Sequence, residues 1–201
     1  MTREAFIKRL KFIEDEIQYA YELFESYKKI YNKQMTDNDA LNTIPGFFQM
    51  VLFSFLNASA MILSRIYDDD KNTLMLVKLR NNLEQSSKEM GIEKKAVEAE
   101  LFKIDAYLAE TASIVPKLKI LRDKVLAHND KRKAEENIWK VAGVTVGDYD
   151  KLIETAYNIV CICYVLLDCS VPLLGSGTDM EIDTLIAALN KWNIDDWEEI
   201  E

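Results

Sequence analysis

Apolar residues near the start of the chain recur at steps of four and three, which is the spacing of one face of an α-helix. The apolar positions are Phe6, Leu10, Ile13, Ile17, Ala20, Phe24, Tyr27 and Tyr31. The pattern predicts one long helix over residues 3–33, with an unbroken apolar seam. We expect this seam to pack inside its own domain, and a dimer contact is the alternative.

The next stretch is apolar nearly all round, from Pro45 to about Tyr67. Proline suits the first turn of a helix, where its missing N–H costs nothing. A membrane span has to be weighed, because about 20 apolar residues are enough to cross a bilayer. Four polar side chains interrupt the run, at Gln49, Ser54, Asn57 and Ser59. We therefore expect a central core helix and no membrane partner.

Weaker periods and turn residues predict five further helices. A third helix begins at Asn72 or Thr73 and ends by Gly91, and a fourth begins near Glu93. A break near residues 111–113 separates it from a helix over about 114–128. A capping box at Thr145-Val-Gly-Asp148 opens the sixth, which reaches about Ser170. The last covers about 181–192.

Composition supports a helical protein. With 49% apolar residues the chain can bury a core, and 6 Gly and 3 Pro leave few places to turn. The predicted fold is an all-α, up-and-down bundle of five to seven helices. We expect a helical domain over residues 1–172, and a C-terminal helix with an acidic tail over 173–201.

His128 is the only histidine in the 201 residues. Imidazole is the side chain that ordinarily titrates between pH 5 and 8, so proton transfer near neutral pH points to this position. Arg122 lies six residues earlier and carries a permanent charge that suits a phosphate or carboxylate. On a helix this separation is ~9 Å of rise and ~120° of rotation, so the two side chains meet only if both lean toward one point.

The surroundings of these two residues are basic, although the whole chain has a net charge of −9. From Lys117 to Lys133 seven bases face two acids, a local charge of +5, so the rest of the chain carries −14. A basic island around the only histidine fits a focused phosphate site. A solvated helix end, with cations near its C-terminal dipole, fits the charge pattern equally well.

The segment Arg122-Asp-Lys-Val-Leu-Ala-His128 resembles the Arg-x(4 to 6)-His signature of HEPN domains, including the polar residue after the arginine, here Asp123. Ile44-Pro-Gly-Phe-Phe48, the helix after it and Ser64-Arg-Ile-Tyr-Asp68 are similar to the abortive-infection AbiU-type branch of that family. The resemblance covers roughly residues 1–170.

This resemblance implies a metal-independent endoribonuclease in phage defence or a toxin-type system, with motifs from two subunits meeting in a cleft. The three cysteines lack disulfide spacing, which indicates a reducing compartment, so we expect a cytoplasmic protein. In the implied enzyme, His128 is general base or acid, Arg122 stabilises the transition state, and Asp123 orients one of them. The expected partners are RNA as substrate and a second copy of the chain. The side chains expected to hold the RNA are Lys124, Asn129, Lys131, Arg132 and Lys133.

The identity of any further protein partner stays open. HEPN subunits that a partner enzyme nucleotidylates resemble an Arg-x4-His-x-Tyr pattern, whereas Asp130 is the second residue after His128 here. This departure disfavours a nucleotidylated pair and leaves an antitoxin or another defence protein as a partner.

Other readings of the same residues stay open. Arg122 could pair with an acid on a neighbouring helix and His128 could cap a helix C-terminus, which leaves a non-catalytic helical module that binds a nucleotide, RNA or a protein.

We expect a dimer because one histidine cannot serve as acid and base in one concerted step. The seam and the Pro45 helix also offer more apolar surface than one domain readily covers.

No cofactor or metal is expected. Asp68, Asp69 and Asp70 form an acidic run, but no second carboxylate cluster accompanies it, so a solvated helix end is the preferred interpretation. The three cysteines lack zinc or disulfide spacing and are interpreted as small core residues. Phosphate-loop, nucleophile-elbow and zinc-protease motifs are absent from the sequence.

Overall fold

The computed structural model describes residues 1–36, 41–42, 44–68, 76–123, 142–175 and 178–191. Within these ranges the chain is helical and contains no strand, which confirms the all-α prediction. Seven helices have described bounds: α1 (Arg3–Met35), α2 (Pro45–Ile66), α3 (Leu76–Ser86), α4 (Lys94–Thr111), α5 (Val115–Leu121), α6 (Val146–Leu166) and α7 (Thr178–Lys191). The up-and-down order of the bundle stays a prediction.

Local signals placed several helix ends correctly. The Thr145 hydroxyl accepts a hydrogen bond from the N–H of Asp148, whose carboxylate accepts one from the N–H of Thr145, so the capping box at the start of α6 is confirmed. The same helix ends at Leu166, four residues earlier than predicted. The cause is Asp168, whose φ of 53° lies in the left-handed region and cannot continue a helix.

Contacts divide the chain into two compact units. The first combines Met1–Ala20 with Ala60–Leu174, and the second combines Tyr21–Ser59 with the described residues from Gly175 onward. The predicted boundary between residues 172 and 173 stays a prediction.

The first unit contains the α3, α4 and α6 helices, which pack against one another. Leu79, Ile104 and Leu152 are fully buried in it. Arg80 on α3 donates from Nε and Nη2 to the two carboxylate oxygens of Asp105 on α4, at 2.9 and 2.8 Å. Apolar burial and this bidentate ion pair together fix α3 against α4.

The second unit has its own small core, formed by Ile30, Leu41, Phe48, Leu52, Ile182 and Ile186. Lys29 on α1 forms a 2.8 Å ion pair with Asp183 on α7. The rings of Tyr27 and Tyr31 stack with their centroids 5.8 Å apart.

The apolar seam of α1 is part of the chain's own core. Its first six members, from Phe6 to Phe24, are at most 1% exposed. The expectation that the seam packs within the chain's own core is therefore confirmed for those six positions, and the alternative of a dimer contact through them is wrong. Only its end is open, where Tyr31 is 43% exposed.

The α2 helix differs from the expected all-round core helix. Its second half is buried, but Phe47, Met50 and Phe53 in its first half are 52%, 64% and 51% exposed. It is also the one helix in the described ranges that is long and apolar enough to cross a membrane, with a mean hydropathy of 1.6 and 39% of that window buried. Core helices of soluble proteins pass the same test, so these values alone do not indicate a membrane.

The Arg80–Asp105 pair predicts an acid-sensitive part of the stability. The hydrogen bond from Arg80 lowers the pKa of Asp105 below its ordinary 3.8, so the stabilisation is full above that value and disappears as pH falls through the lower folded value. We expect Asp105→Asn to lower the free energy of unfolding by about 1 kcal/mol at pH 7, and by less at pH 3. Urea unfolding at the two pH values measures this.

Glu98→Gln is the control, because Glu98 forms only an exposed 3.6 Å pair with Lys94. Its effect at pH 7 should be close to zero. An equal loss in Asp105→Asn at both pH values would contradict the assignment.

Candidate functional site

The arginine of the motif lies at the end of the short α5 helix. The predicted break before it is confirmed: α4 ends at Thr111 and α5 begins at Val115, with Pro116 in the first turn. Leu118 and Leu121 are at most 1% exposed and fix α5 in the core of its unit. A buried face therefore sets the direction in which Arg122 leaves the helix.

The backbone stays helical at Arg122, with φ of −54° and ψ of −53°, and its N–H donates to the carbonyls of Leu118 and Lys119. The predicted continuation of this helix to His128 lies outside the described residues. So do five other predicted site residues: Lys124, Asn129, Lys131, Arg132 and Lys133. Of the predicted site, the structure describes Arg122 and Asp123.

Two carboxylates hold the Arg122 guanidinium. Its Nε donates to Oδ1 of Asp123 at 2.8 Å, and its Nη1 donates to Oδ2 of Asp68 at 3.0 Å. The hydrogen bond to Asp123 raises the pKa of Arg122, and the bond to Asp68 adds to the effect. The Arg122 side chain is still 28% exposed. The ion pair with an acid from another part of the chain, which sequence analysis left open, is therefore present.

Arg80 provides a comparison within the same chain. Besides its two bonds to Asp105, its Nη1 donates to Glu84, so all three guanidinium nitrogens are used. Arg122 uses two nitrogens, and its Nη2 makes no hydrogen bond with any residue in the described ranges. An Nη2 group has two N–H donors, so Arg122 can be held in place and still donate to an anion.

The last turn of α2 and the residues just after it form the other side of this site. Tyr67 is 5% exposed, and its hydroxyl donates to the carbonyl of Leu152 on α6 at 2.6 Å. Arg65 pairs with Glu16 on α1 at 2.6 Å, and the Ser64 hydroxyl donates to the carbonyl of Met61 at 2.8 Å. Asp68 thus lies at the end of a segment whose position several contacts fix.

The role of Asp68 was missed by sequence analysis, which interpreted the acidic run as a solvated helix end. For Asp68 that interpretation is wrong, because its side chain is 19% exposed and bonded to Arg122. Asp69 and Asp70 lie outside the described residues. The signal that could have found Asp68 was the Ser64-to-Asp68 segment, which resembled a family pattern but was given no role.

The local charge is less positive than the sequence indicates. The cluster of Arg122, Asp68 and Asp123 has a net charge of −1. The charge of Lys117 is offset as well, because its ammonium lies 3.5 Å from the carboxylate of Asp148. The excess positive charge predicted for this region therefore depends on basic residues from Lys124 onward, which lie outside the described residues.

Other candidate chemistry is limited in the described part of the chain. No group of three or more His, Cys, Asp and Glu residues there could hold a metal ion. Cys161, Cys163 and Cys169 form no disulfide, and burial raises the pKa of Cys163 to about 12, so this thiol stays protonated. A pocket of about 160 Å3 lies between Glu14, Ile17, Tyr157 and Leu173, and its lining includes neither Arg122 nor its two aspartates.

Together, the described helices and the Arg122 cluster define an all-helical protein with a charged site at a helix end. The family model HEPN AbiU2, described as AbiU2, matches residues 3–170, which are 168 of the 201 residues. The chain therefore belongs to the HEPN AbiU2 family, and its domain is an abortive-infection HEPN domain. No curated protein and no solved structure matches the chain.

The contact between Tyr67 and α6 generates a stability prediction. Tyr67→Phe removes the donor to the Leu152 carbonyl and leaves the ring in place, so we expect a loss of about 1 kcal/mol in the free energy of unfolding. Tyr19→Phe is the matched control, because Tyr19 is 55% exposed. Urea unfolding of both variants is the measurement. Equal stabilities would show that the Tyr67 hydroxyl contributes nothing.

Proposed function

We propose that this protein is a metal-independent endoribonuclease that acts as a homodimer in phage defence or a toxin-type system in the cytoplasm. Family membership supports the setting in abortive infection. The observation that carries the chemistry is the Arg122 guanidinium, which is held at two nitrogens and retains Nη2 for a ligand.

The proposed reaction is attack of a ribose 2′-hydroxyl on the neighbouring phosphate. The attack needs a base for the hydroxyl proton, a cation for the charge that develops on the phosphoryl oxygens, and an acid for the leaving oxygen. His128 has the base or acid role and Arg122 the cation role. Asp123 orients the Arg122 guanidinium through its bond to Nε.

Binding of the RNA backbone is assigned to the residues around the motif. Lys124, Lys131, Arg132 and Lys133 are basic, and Asn129 supplies an amide. Contacts of this kind position a nucleic acid without reading its sequence. An antitoxin or another defence protein is proposed as the partner that restrains the activity.

A second function is favoured by a separate observation, the two carboxylates that already accept hydrogen bonds from Arg122. Such a guanidinium can serve only to join two elements of the fold, as the Arg80–Asp105 pair joins α3 and α4. The protein is then a non-catalytic helical module that binds a nucleotide, RNA or a protein partner. This alternative predicts that Arg122 and His128 variants change stability or binding without changing RNA cleavage.

Cleavage of RNA in EDTA tests the main proposal. Purified protein should cut structured or single-stranded RNA under chelation, and Arg122→Ala and His128→Ala should each reduce the rate at least about 100-fold, because each removes a group used in the transition state. Gel separation of end-labelled RNA, with a 2′,3′-cyclic phosphate as the expected product end, measures this.

Arg80→Ala is the matched control for Arg122→Ala, since it also removes an arginine with two carboxylate partners. It should leave the cleavage rate unchanged. Equal rates in the wild-type, Arg122→Ala and His128→Ala proteins would refute the nuclease proposal and favour the binding module.

The dimer is proposed because one histidine cannot supply both acid and base, and two copies of the motif can. An exposed apolar side chain supports an interface at the motif: Ile120, two residues before Arg122, is 39% exposed. Separately, in the other compact unit, Phe47, Met50 and Phe53 on α2 are each more than half exposed. We propose that the helices around the motif form part of the contact between two copies related by a twofold axis.

Light scattering at micromolar concentration should report about twice the 23.2 kDa chain mass. Ile120→Glu should shift the protein toward monomer and lower its cleavage rate, because it places a charge in the proposed contact. Leu173→Glu is the control, since Leu173 is 91% exposed and distant in sequence from the motif. A monomeric wild-type protein that still cleaves RNA would refute the composite site.

A further inference from the structure

The geometry points to Asp68 as a positioning residue that sets the place of the Arg122 guanidinium. The inference rests on the proposed nuclease function and adds to it a residue 54 positions away from Arg122 in the chain. Asp68 acts through its hydrogen bond to Nη1 and is not assigned a contact with RNA.

Asp68 and Asp123 differ in what they can fix. Asp123 is the next residue in the chain, so its bond to Nε moves together with Arg122. Asp68 comes from the segment after α2, and its carboxylate is 19% exposed, compared with 60% for Asp123. Among the described residues, Asp68 is therefore the contact that ties the guanidinium to another part of the fold.

The segment that carries Asp68 is itself anchored. The backbone N–H of Asp68 donates to the carbonyl of Arg65 at 3.2 Å. The neighbouring Tyr67 is buried and bonded to α6, and Arg65 is paired with Glu16. A carboxylate carried by such an anchored segment keeps its position. A flexible arginine side chain bonded to that carboxylate therefore loses part of its conformational freedom before any substrate arrives.

The guanidinium nitrogens that Asp68 and Asp123 occupy decide whether these carboxylates position Arg122 or inhibit the site. A carboxylate that blocked the site would occupy the donors that a phosphate needs. Asp68 takes Nη1 and Asp123 takes Nε, while Nη2 has no hydrogen bond within the described residues. The two bonds therefore hold the guanidinium and leave a pair of N–H donors for a phosphoryl oxygen.

The kinetic test uses Asp68→Asn, with Asp105→Asn as the control that weakens the Arg80 ion pair by the same change. We expect Asp68→Asn to lower kcat about 10- to 100-fold, because a misplaced guanidinium stabilises the transition state less well. KM should stay constant or fall, because a negative charge is removed beside the phosphate. Asp105→Asn should leave both constants unchanged, and Asp68→Glu should restore part of kcat.

Other kinetic outcomes count against the inference. A higher kcat in Asp68→Asn would show that Asp68 inhibits the site. Wild-type kinetics in Asp68→Asn, together with loss of cleavage in Arg122→Ala, would overturn the positioning role while the proposed nuclease function stands.

A second measurement does not depend on cleavage. The ¹⁵N signals of the Arg122 guanidinium, assigned by their loss in Arg122→Lys, report how freely the group rotates. We expect hindered rotation of Nη1 in the wild-type protein and in Asp105→Asn, and faster rotation in Asp68→Asn. Unchanged rotation in Asp68→Asn would overturn the positioning role even if no RNA is cleaved. Faster rotation without any RNA cleavage in the wild-type protein would support it while refuting the nuclease function.

Discussion

The anchoring of the segment after α2 is the constraint on which the site depends. The buried Tyr67 hydroxyl fixes this segment to the Leu152 carbonyl of α6, and Asp68 then reaches the guanidinium of Arg122. Burial of Leu118 and Leu121 places the other partner of this ion pair at the end of α5. Apolar packing thus determines where each partner is, and the ion pair joins two ends that the packing has already placed. This order fits the small free energy that a partly exposed ion pair supplies by itself.

The electrostatics of the site follow from the same arrangement. An acidic chain with a net charge of −9 attracts a polyanion poorly overall, and the cluster of Arg122 with its two aspartates adds no net positive charge. Under the proposed nuclease function, attraction of RNA therefore depends on basic residues outside this cluster, while Arg122 contributes direction. Such a division between charges that attract and a cation that is positioned is common where phosphates are recognised.

Sequence patterns predicted the helices better than the contacts between them. The seam of α1, the break before α5 and the Thr145 capping box are local signals, and each was found because neighbouring residues of the pattern lie within one or two turns of one another. Asp68 and Tyr67 act on partners 54 and 85 residues away, and no local pattern reports such a pairing. The exposed first half of α2 was missed for a related reason. Hydrophobicity shows that a helix can be buried, but the positions of its neighbours decide which side is covered.

The contrast between Arg80 and Arg122 indicates why only one of them is a candidate for chemistry. Both have two carboxylate partners and are mostly shielded from solvent, at 21% and 28% exposure, so burial and charge alone do not separate them. The number of nitrogens in use does. A guanidinium bonded at all three nitrogens, as in Arg80, keeps one N–H on each Nη group, but a carboxylate already occupies both of those nitrogens. A guanidinium bonded at Nε and Nη1 can accept an anion at Nη2 without giving up its anchors, which is the preorganised arrangement that transition-state stabilisation requires.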